Sequence, residues 1–133
     1  MRPNFALAFL LLVAARPVHA FTNAEMVAKW ARTYLQDKAA SSNAEPVLST
    51  DGYRFRSYTQ GVIDSNYGTG FCPGSGVSQE EQIDFVAQMM VRDLEWGRGS
   101  PGPMGGEGLG LEGYLPGATV EMRLLSLSWP CRS

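Results

Sequence analysis

The sequence predicts an all-α domain, a small bundle of about four helices closed by one disulfide. Three observations support this fold class. Apolar residues recur at helical spacing in separate segments, two of which begin with a capping-box pattern. No stretch alternates apolar and polar residues for long enough to anchor a sheet. The two cysteines can pair with each other in an oxidising compartment.

The first 20 residues have the pattern of a secretory signal peptide. Arg2 precedes an unbroken apolar run at residues 5–15. Small residues occupy positions −3 and −1 relative to a cut after Ala20. This apolar run is too short to cross a bilayer. No cysteine lies near the cut, so a lipid anchor is not expected. We therefore expect one mature domain, residues 21–133, in the periplasm or secreted, with no membrane anchor after cleavage.

The predicted mature chain is acidic and lacks histidine. Loss of Arg2 and Arg16 leaves nine basic side chains against thirteen acidic ones, a net charge of about −4. Nucleic-acid-binding proteins are normally basic, so that class is disfavoured. His19, the single histidine of the chain, lies before the cut, which leaves no imidazole for nucleophilic catalysis or for a metal site. Composition thus indicates a binding protein with no catalytic residues, cofactor or metal.

Cys72 and Cys131 are expected to form an intramolecular disulfide. A bridge that closes a loop of about sixty residues stabilises a fold by roughly 4 kcal/mol on the chain-entropy estimate. This is a large share of the stability of so small a domain. Two free thiols or an intermolecular bridge are the alternatives.

A first helix is expected from Thr22, because the Thr22 hydroxyl and the Glu25 carboxylate match a capping box. Apolar side chains then recur in steps of four and one, which places them on one helix face. They are Met26, Val27, Trp30, Ala31, Tyr34 and Leu35. A small, polar linker at residues 39–43, closed by Pro46, ends this pattern.

A second helix is expected from Asp51 or Gly52 to Tyr67. Its inward-facing residues are Phe55, Tyr58, Thr59, Val62 and Ile63. Gly61 in the middle of a helix costs about 1 kcal/mol relative to alanine, so we expect another helix to cross closely there. Residues 68–76 are too rich in glycine for a regular element and are expected to form a tight connection pinned by the disulfide.

The third helix has the strongest pattern, since Ser78 and Glu81 form a second capping box. Its apolar stripe consists of Ile83, Val86, Ala87, Met90, Val91 and Leu94. Phe85 and Met89 widen this stripe, which indicates burial on more than one side. Three acids gather at its start: Glu80, Glu81 and Asp84. We interpret them as charges favoured by the helix dipole and not as catalytic carboxylates.

Residues 97–117 contain nine glycines and three prolines. Burial cannot offset the ordering entropy of such a stretch, so we expect a long mobile loop between the last two helices. The last helix should begin near Gly117 or Ala118 and run to Trp129, where Pro130 stops it. Residues 124–129 also alternate apolar and small polar side chains, so a short strand is the alternative there.

The aromatic residues fall into two groups. One group has helical spacing and is expected to fill the core: Trp30, Tyr34, Phe55, Tyr58 and Phe85, together with Met90. A second group flanks helix ends or the glycine-rich loop, where large side chains are less needed for packing. Its members Tyr53, Trp96 and Tyr114, with the neighbouring Leu115, are candidate contacts for a partner protein.

Short motifs occur in order along the second half of the chain. Residues 58–64 read YTQGVID, residues 70–72 read GFC, residues 76–78 read GVS with Gln82 on the following helix, and residues 129–131 read WPC. Together they resemble the Rap/Tai-type family of immunity proteins against amidase effectors of type VI secretion. The matching positions are Tyr58, Gly61, Cys72, Gly76, Ser78, Pro130 and Cys131.

This resemblance implies a small helical periplasmic protein, often a homodimer, that binds a peptidoglycan amidase with a Cys-His site and blocks its cleft. Family members present a protruding loop for this purpose, and residues 97–117 occupy a comparable place. The loop is longer and richer in glycine here than is usual in the family, so contact residues are not transferred. A small acidic periplasmic chaperone with a single disulfide is the alternative function.

Overall fold

The protein is all-helical over the residues that the computed structural model describes, 22–42, 45–95 and 114–132. These contain four α-helices, α1 (Ala24–Ala40), α2 (Thr50–Asn66), α3 (Gln79–Met90) and α4 (Gly117–Ser128), with a π-helical turn at Val91–Glu95. Extended pairing in this part of the chain is limited to two isolated bridges, Asn23 with Pro116 and Tyr67 with Phe71. The predicted all-α fold with about four helices is confirmed.

Serine and asparagine side chains cap the first three helices. The Ser49 and Ser78 hydroxyls accept from the amides of Gly52 and Glu81, and the Glu81 carboxylate accepts from the Ser78 amide, so the predicted second capping box is confirmed. The predicted Thr22 capping box is wrong. Asn23 caps α1 and accepts from the Met26 amide at 2.9 Å, because its bridge with Pro116 keeps the chain extended up to this residue.

Helices α1 and α2 are antiparallel. Asp37 near the end of α1 accepts hydrogen bonds from the amide and hydroxyl of Ser49, each at 2.8 Å, immediately before α2. Towards the start of α1, Trp30 packs edge-on against Tyr58 with ring centroids 6.3 Å apart. One contact at the turn between the helices and one near their middle therefore align the two helices.

Helix α4 runs alongside α2 in the same direction, and α3 packs against both α1 and α2. The amide of Ala118 donates to the Tyr58 hydroxyl at 2.8 Å, and the amide of Cys72 donates to the carbonyl of Trp129 at the same distance. Trp129 also packs against Phe85 of α3, with ring centroids 5.0 Å apart. The end of α4 therefore lies between α3 and the connection that follows α2.

The core contains side chains from all four helices. Its fully buried large apolar members are Tyr34, Phe55, Ile63, Phe71, Ile83, Met90, Leu124 and Leu125. Trp30, Tyr58, Phe85 and Met89 are partly buried and pack against this core. The predicted core role of the first aromatic group is confirmed, as is the widened apolar stripe of α3.

The close helix crossing predicted at Gly61 is wrong. Gly61 is exposed, and a Cβ added there would meet no described atom within 4 Å. The glycines at tight contacts are Gly52, Gly70 and Gly117, whose added Cβ atoms would meet Asp37, Met122 and Val27 respectively. Gly76 lies in an exposed turn before α3.

The second half of the chain agrees with the predicted order of elements. Helix α3 ends at Met90, and the apolar stripe continues to Leu94 through the π-helical turn. Residues 124–128 are helical, so the alternative of a short strand is wrong, and Pro130 follows the end of α4 at Trp129. The predicted signal peptide, Trp96 and residues 97–113 of the predicted loop lie outside the described residues.

The predicted disulfide is confirmed. Cys72 and Cys131 are bonded, with 4.8 Å between their Cα atoms and a sequence separation of 59. Cys72 lies in the connection between α2 and α3, and Cys131 lies just beyond α4. The bridge therefore holds the end of the last helix to the middle of the chain.

Gly61→Ala is expected to raise the free energy of unfolding by about 1 kcal/mol, because alanine favours the helix and its methyl group meets open space. Gly52→Ala on the same helix is the matched control. It should lower stability, since the new methyl group would displace the Asp37 carboxylate that holds Ser49. Urea denaturation measures both, and a destabilised Gly61→Ala variant would contradict the exposed position of Gly61.

Cys72→Ser and Cys131→Ser are expected to lower the melting temperature by similar amounts, since either change opens the same loop. The loss should correspond to about 2–5 kcal/mol of unfolding free energy. Scanning calorimetry of the oxidised protein tests this. Reductant should bring the wild-type melting temperature down to that of the variants and leave the variants unchanged; an unchanged wild type would contradict a stabilising role for the bridge.

Candidate functional site

The starts of α1 and α4 are joined by backbone hydrogen bonds. The Ala24 amide donates to the Leu115 carbonyl and the Gly117 amide donates to the Thr22 carbonyl, each at 2.8 Å, on either side of the bridge between Asn23 and Pro116. We call residues 22–26 and 114–117 the α1–α4 junction. These bonds satisfy amides at two helix starts that lack intrahelical partners.

Gly117 permits the close approach of the two chain segments at the α1–α4 junction. A Cβ at this position would lie 2.5 Å from Val27 Cγ2, 3.0 Å from the Tyr58 hydroxyl and 3.3 Å from the Thr22 carbonyl oxygen. A side chain there would push α4 away from both α1 and α2. The junction is thus a packed support for the residues that precede it.

Tyr114 is one of two candidate partner contacts, with Tyr53, that the described structure displays. Its side chain is 69% exposed at the α1–α4 junction, where Met26 is 46% exposed. Leu115 is partly buried against the core, and its carbonyl holds Ala24, so this residue supports the junction. Trp96 lies outside the described residues.

Other exposed apolar side chains occur away from the α1–α4 junction. Val47 and Tyr53, 88% and 59% exposed, lie where the chain enters α2. Tyr67 follows the end of α2, and Leu127 lies in the last turn of α4. Tyr53 is therefore displayed as the sequence predicted, but on a different part of the bundle from Tyr114.

A cluster of charged side chains joins α1, α2 and α3. Lys38 of α1 donates to Asp84 at 2.7 Å and to Glu80 at 3.2 Å, and Arg56 of α2 donates to the second Glu80 oxygen at 3.1 Å. The Tyr34 hydroxyl lies 2.7 Å from Asp84 and 3.1 Å from Glu80. It has one proton to donate, and Asp84 is the nearer acceptor. We call these five residues the ionic cluster.

The ionic cluster shifts the titration of its α1 members. Burial raises the pKa of Tyr34, and its hydrogen bond to Asp84 and the charges of Asp84 and Glu80 raise it further. For Lys38, burial lowers the pKa, but its hydrogen bonds to Asp84 and Glu80 outweigh that effect, so the pKa is raised. Tyr34 therefore stays neutral and Lys38 stays charged over the physiological range, which maintains the cross-link.

A carboxyl group lies inside the bundle on α4. Glu121 is fully buried, and its Oε1 accepts a hydrogen bond from the Thr59 hydroxyl of α2 at 2.7 Å. Its Oε2 is buried without a hydrogen-bond partner among the described atoms, as is Oε1 of Gln82 on α3. Burial raises the pKa of Glu121 to about 8, although the bond from Thr59 lowers it. The acid is therefore largely protonated at neutral pH.

Sequence reasoning missed the roles of these polar groups. Glu80 and Asp84 were interpreted as helix-start charges, whereas they bind Lys38 and Arg56; Glu81 alone has the predicted capping role. Glu121 adjoins Val120 and precedes Leu125 by one helical turn, so its place in the apolar stripe was a signal of burial. The partners on α1 and α2 could not be assigned without the tertiary arrangement.

The described part of the chain offers no cluster of three or more His, Cys, Asp or Glu side chains that could hold a metal ion. The helices described here also include none with the length and hydropathy of a membrane span.

The polar groups of the ionic cluster are satisfied mostly by one another, which indicates a cross-link between helices.

Comparisons with known proteins found no matching family model, no similar curated protein and no similar solved structure.

Lys38→Met is expected to lower the free energy of unfolding by about 1–3 kcal/mol, because it leaves two partly buried carboxylates without their shared cation. A double-mutant cycle with Asp84→Asn measures the coupling in urea. The exposed pair Arg54–Asp51 is the control and should couple by less than about 1 kcal/mol. Equal coupling in both pairs would mean that the ionic cluster is no stronger than a surface ion pair.

Proposed function

We propose that this chain is an exported immunity protein that binds a peptidoglycan amidase effector of type VI secretion and blocks its active-site cleft. The motifs that resemble the Rap/Tai-type family suggest this class. Cys72 and Cys131 are bonded, Ser78 caps α3, and Pro130 follows α4. These four motif positions thus have physical roles that suit the family pattern.

The observation that carries the proposal is the display of Tyr114 from the α1–α4 junction. The side chain is 69% exposed, whereas the backbone of its neighbour Leu115 is held by Ala24. An aromatic residue on a fixed backbone loses little conformational entropy when it docks. Tyrosine is also among the residues that most often dominate protein interfaces. Tyr114 is therefore suited to act as an anchor.

An inhibitor of this kind needs to fill a groove and requires no chemistry of its own. We expect Tyr114 to enter the amidase cleft together with Trp96, from the segment that connects the π-helical turn to the α1–α4 junction. The contact should exclude water from the cleft and keep the substrate peptide from the catalytic cysteine. Affinity would then depend mainly on a few buried aromatic side chains.

The alternative function is a small acidic periplasmic chaperone. The ionic cluster favours this candidate, because α3 contributes two carboxylates that bind α1 and α2. Loss of the ion pairs that join Glu80 and Asp84 to Lys38 and Arg56 would separate these helices. Apolar core surface between these helices would then become accessible to a client protein.

The immunity function predicts a 1:1 complex between the mature protein and an amidase encoded beside it. The complex should abolish cleavage of purified peptidoglycan. Tyr114→Ala is expected to weaken inhibition by at least about tenfold, the loss typical of an interface anchor. Titrating inhibition of peptidoglycan cleavage measures the effect, with Tyr53→Ala as the matched control, since Tyr53 is similarly exposed on another part of the bundle.

Full inhibition by the Tyr114→Ala variant would remove Tyr114 as the anchor. Failure of the wild-type protein to bind or inhibit the amidase would remove the immunity function itself. Suppression of client aggregation at acidic pH, without a dedicated partner, would instead support the chaperone.

A further inference from the structure

Glu121 is a carboxyl group placed where ionisation is costly. Its side chain has no exposed surface, one oxygen accepts from Thr59, and the other has no hydrogen-bond partner among the described atoms. A protonated carboxyl fits such a site, because an uncharged group loses much less hydration on burial than a carboxylate does. A carboxylate would need further donors or water around the unpaired oxygen.

Glu121 belongs to the first half of α4, which is held to the bundle by hydrogen bonds and by the packing of Val120 in the core. Its hydrogen bonds join Ala118 to Tyr58, Gly117 to Thr22 and Glu121 to Thr59. The far end of α4 is held covalently through Cys131 and by the bond from Cys72 to Trp129. The two halves of the helix are therefore attached by interactions of different strength.

The charged groups of the neighbouring helices are engaged away from Glu121. On α2, the charge of Glu121 affects the titration of Tyr58. Burial raises the pKa of Tyr58, the hydrogen bond from the Ala118 amide lowers it, and the charge of Glu121 raises it. Other charged side chains of these helices form the pairs Glu25–Lys29 on α1, Asp51–Arg54 on α2, and Lys38 and Arg56 with Glu80 and Asp84. Asp64 accepts from Gln79, Asp37 from Ser49 and Glu81 from Ser78, and Arg32 of α1 is engaged as well. Arg123 of α4 itself is exposed.

We propose that Glu121 is a proton-operated latch, whose ionisation releases the first half of α4 from α2 while the disulfide retains its far end. In the released state the carboxylate reaches water, and the apolar face of α4 next to it, Val120 and Leu124, loses its contacts. Because the bridge between Cys72 and Cys131 stays intact, the helix can return when the proton does. The latch does not require the proposed amidase partner, but its release would also loosen the α1–α4 junction, because Gly117 belongs to both.

The sign of the effect follows from the raised pKa of Glu121, which burial sets at about 8 against an ordinary value of 4.5. Between these values the closed state binds more protons than the released state, so closure weakens as pH rises. The opening equilibrium constant should increase by up to tenfold per pH unit, about 1.4 kcal/mol, and level off above pH 8. Acid keeps the latch closed.

Hydrogen exchange of the oxidised mature protein at pH 6 and pH 8 tests the latch. After correction for the intrinsic pH dependence of exchange, amides of residues 118–122 should lose protection by roughly tenfold or more in the wild type. Glu121→Gln, which keeps the shape and stays neutral, should show no such loss. Glu25→Gln is the control at an exposed carboxyl and should behave as the wild type.

Equal loss of protection in the wild type and Glu121→Gln would overturn the proposal, as would a loss spread evenly over all helices. Should Glu121→Gln fail to fold, carboxyl ¹³C NMR of the wild type decides the question. A Glu121 resonance that titrates near pH 8 supports the latch, and one that titrates near 4.5 overturns it.

Discussion

The Cys72–Cys131 disulfide is the constraint on which the arrangement of this bundle depends. Helix α4 is the last element of the chain and is only 12 residues long, so its own stability in water would be marginal. The bridge makes its end a covalent part of the connection between α2 and α3. Trp129 can then pack against Phe85, and the apolar residues of α4 complete the core over α1 and α2.

Two polar features inside this bundle have opposite electrostatic character. The ionic cluster places Lys38 and Arg56 against two carboxylates at a partly exposed helix crossing, where the opposite charges compensate one another. Among the described residues no cation pairs with Glu121, and the group is accommodated by keeping its proton. A rise in pH therefore weakens the packing of α4 through Glu121. The proposed chaperone behaviour depends on contacts of α3 with α1 and α2, whereas the proposed latch depends on contacts of α4 with α2.

The proposed binding role relies on how firmly α1 and α4 are joined at their starts. Gly117 lets the two segments approach, and the backbone bonds of Leu115 and Thr22 fix the chain immediately after Tyr114. An exposed aromatic side chain is a useful anchor only if its base does not move when a partner binds. The α1–α4 junction provides that base on the end of the bundle where the glycine-rich segment rejoins it.

The sequence alone was sufficient to predict the fold class, the order of the helices and the disulfide. Helical periodicity, the Ser78 capping box and Pro130 are signals that act within one segment, and two cysteines allow a single intramolecular pair. The tertiary structure decided the rest. Asn23 and not Thr22 caps α1, and Gly61 faces open space. Glu80 and Asp84 bind Lys38, whereas one oxygen of Glu121 has no hydrogen-bond partner among the described atoms. These outcomes depend on which side chains from distant segments come into contact. The sequence pattern shows which residues share one face of a helix, but it does not show which helix packs against that face.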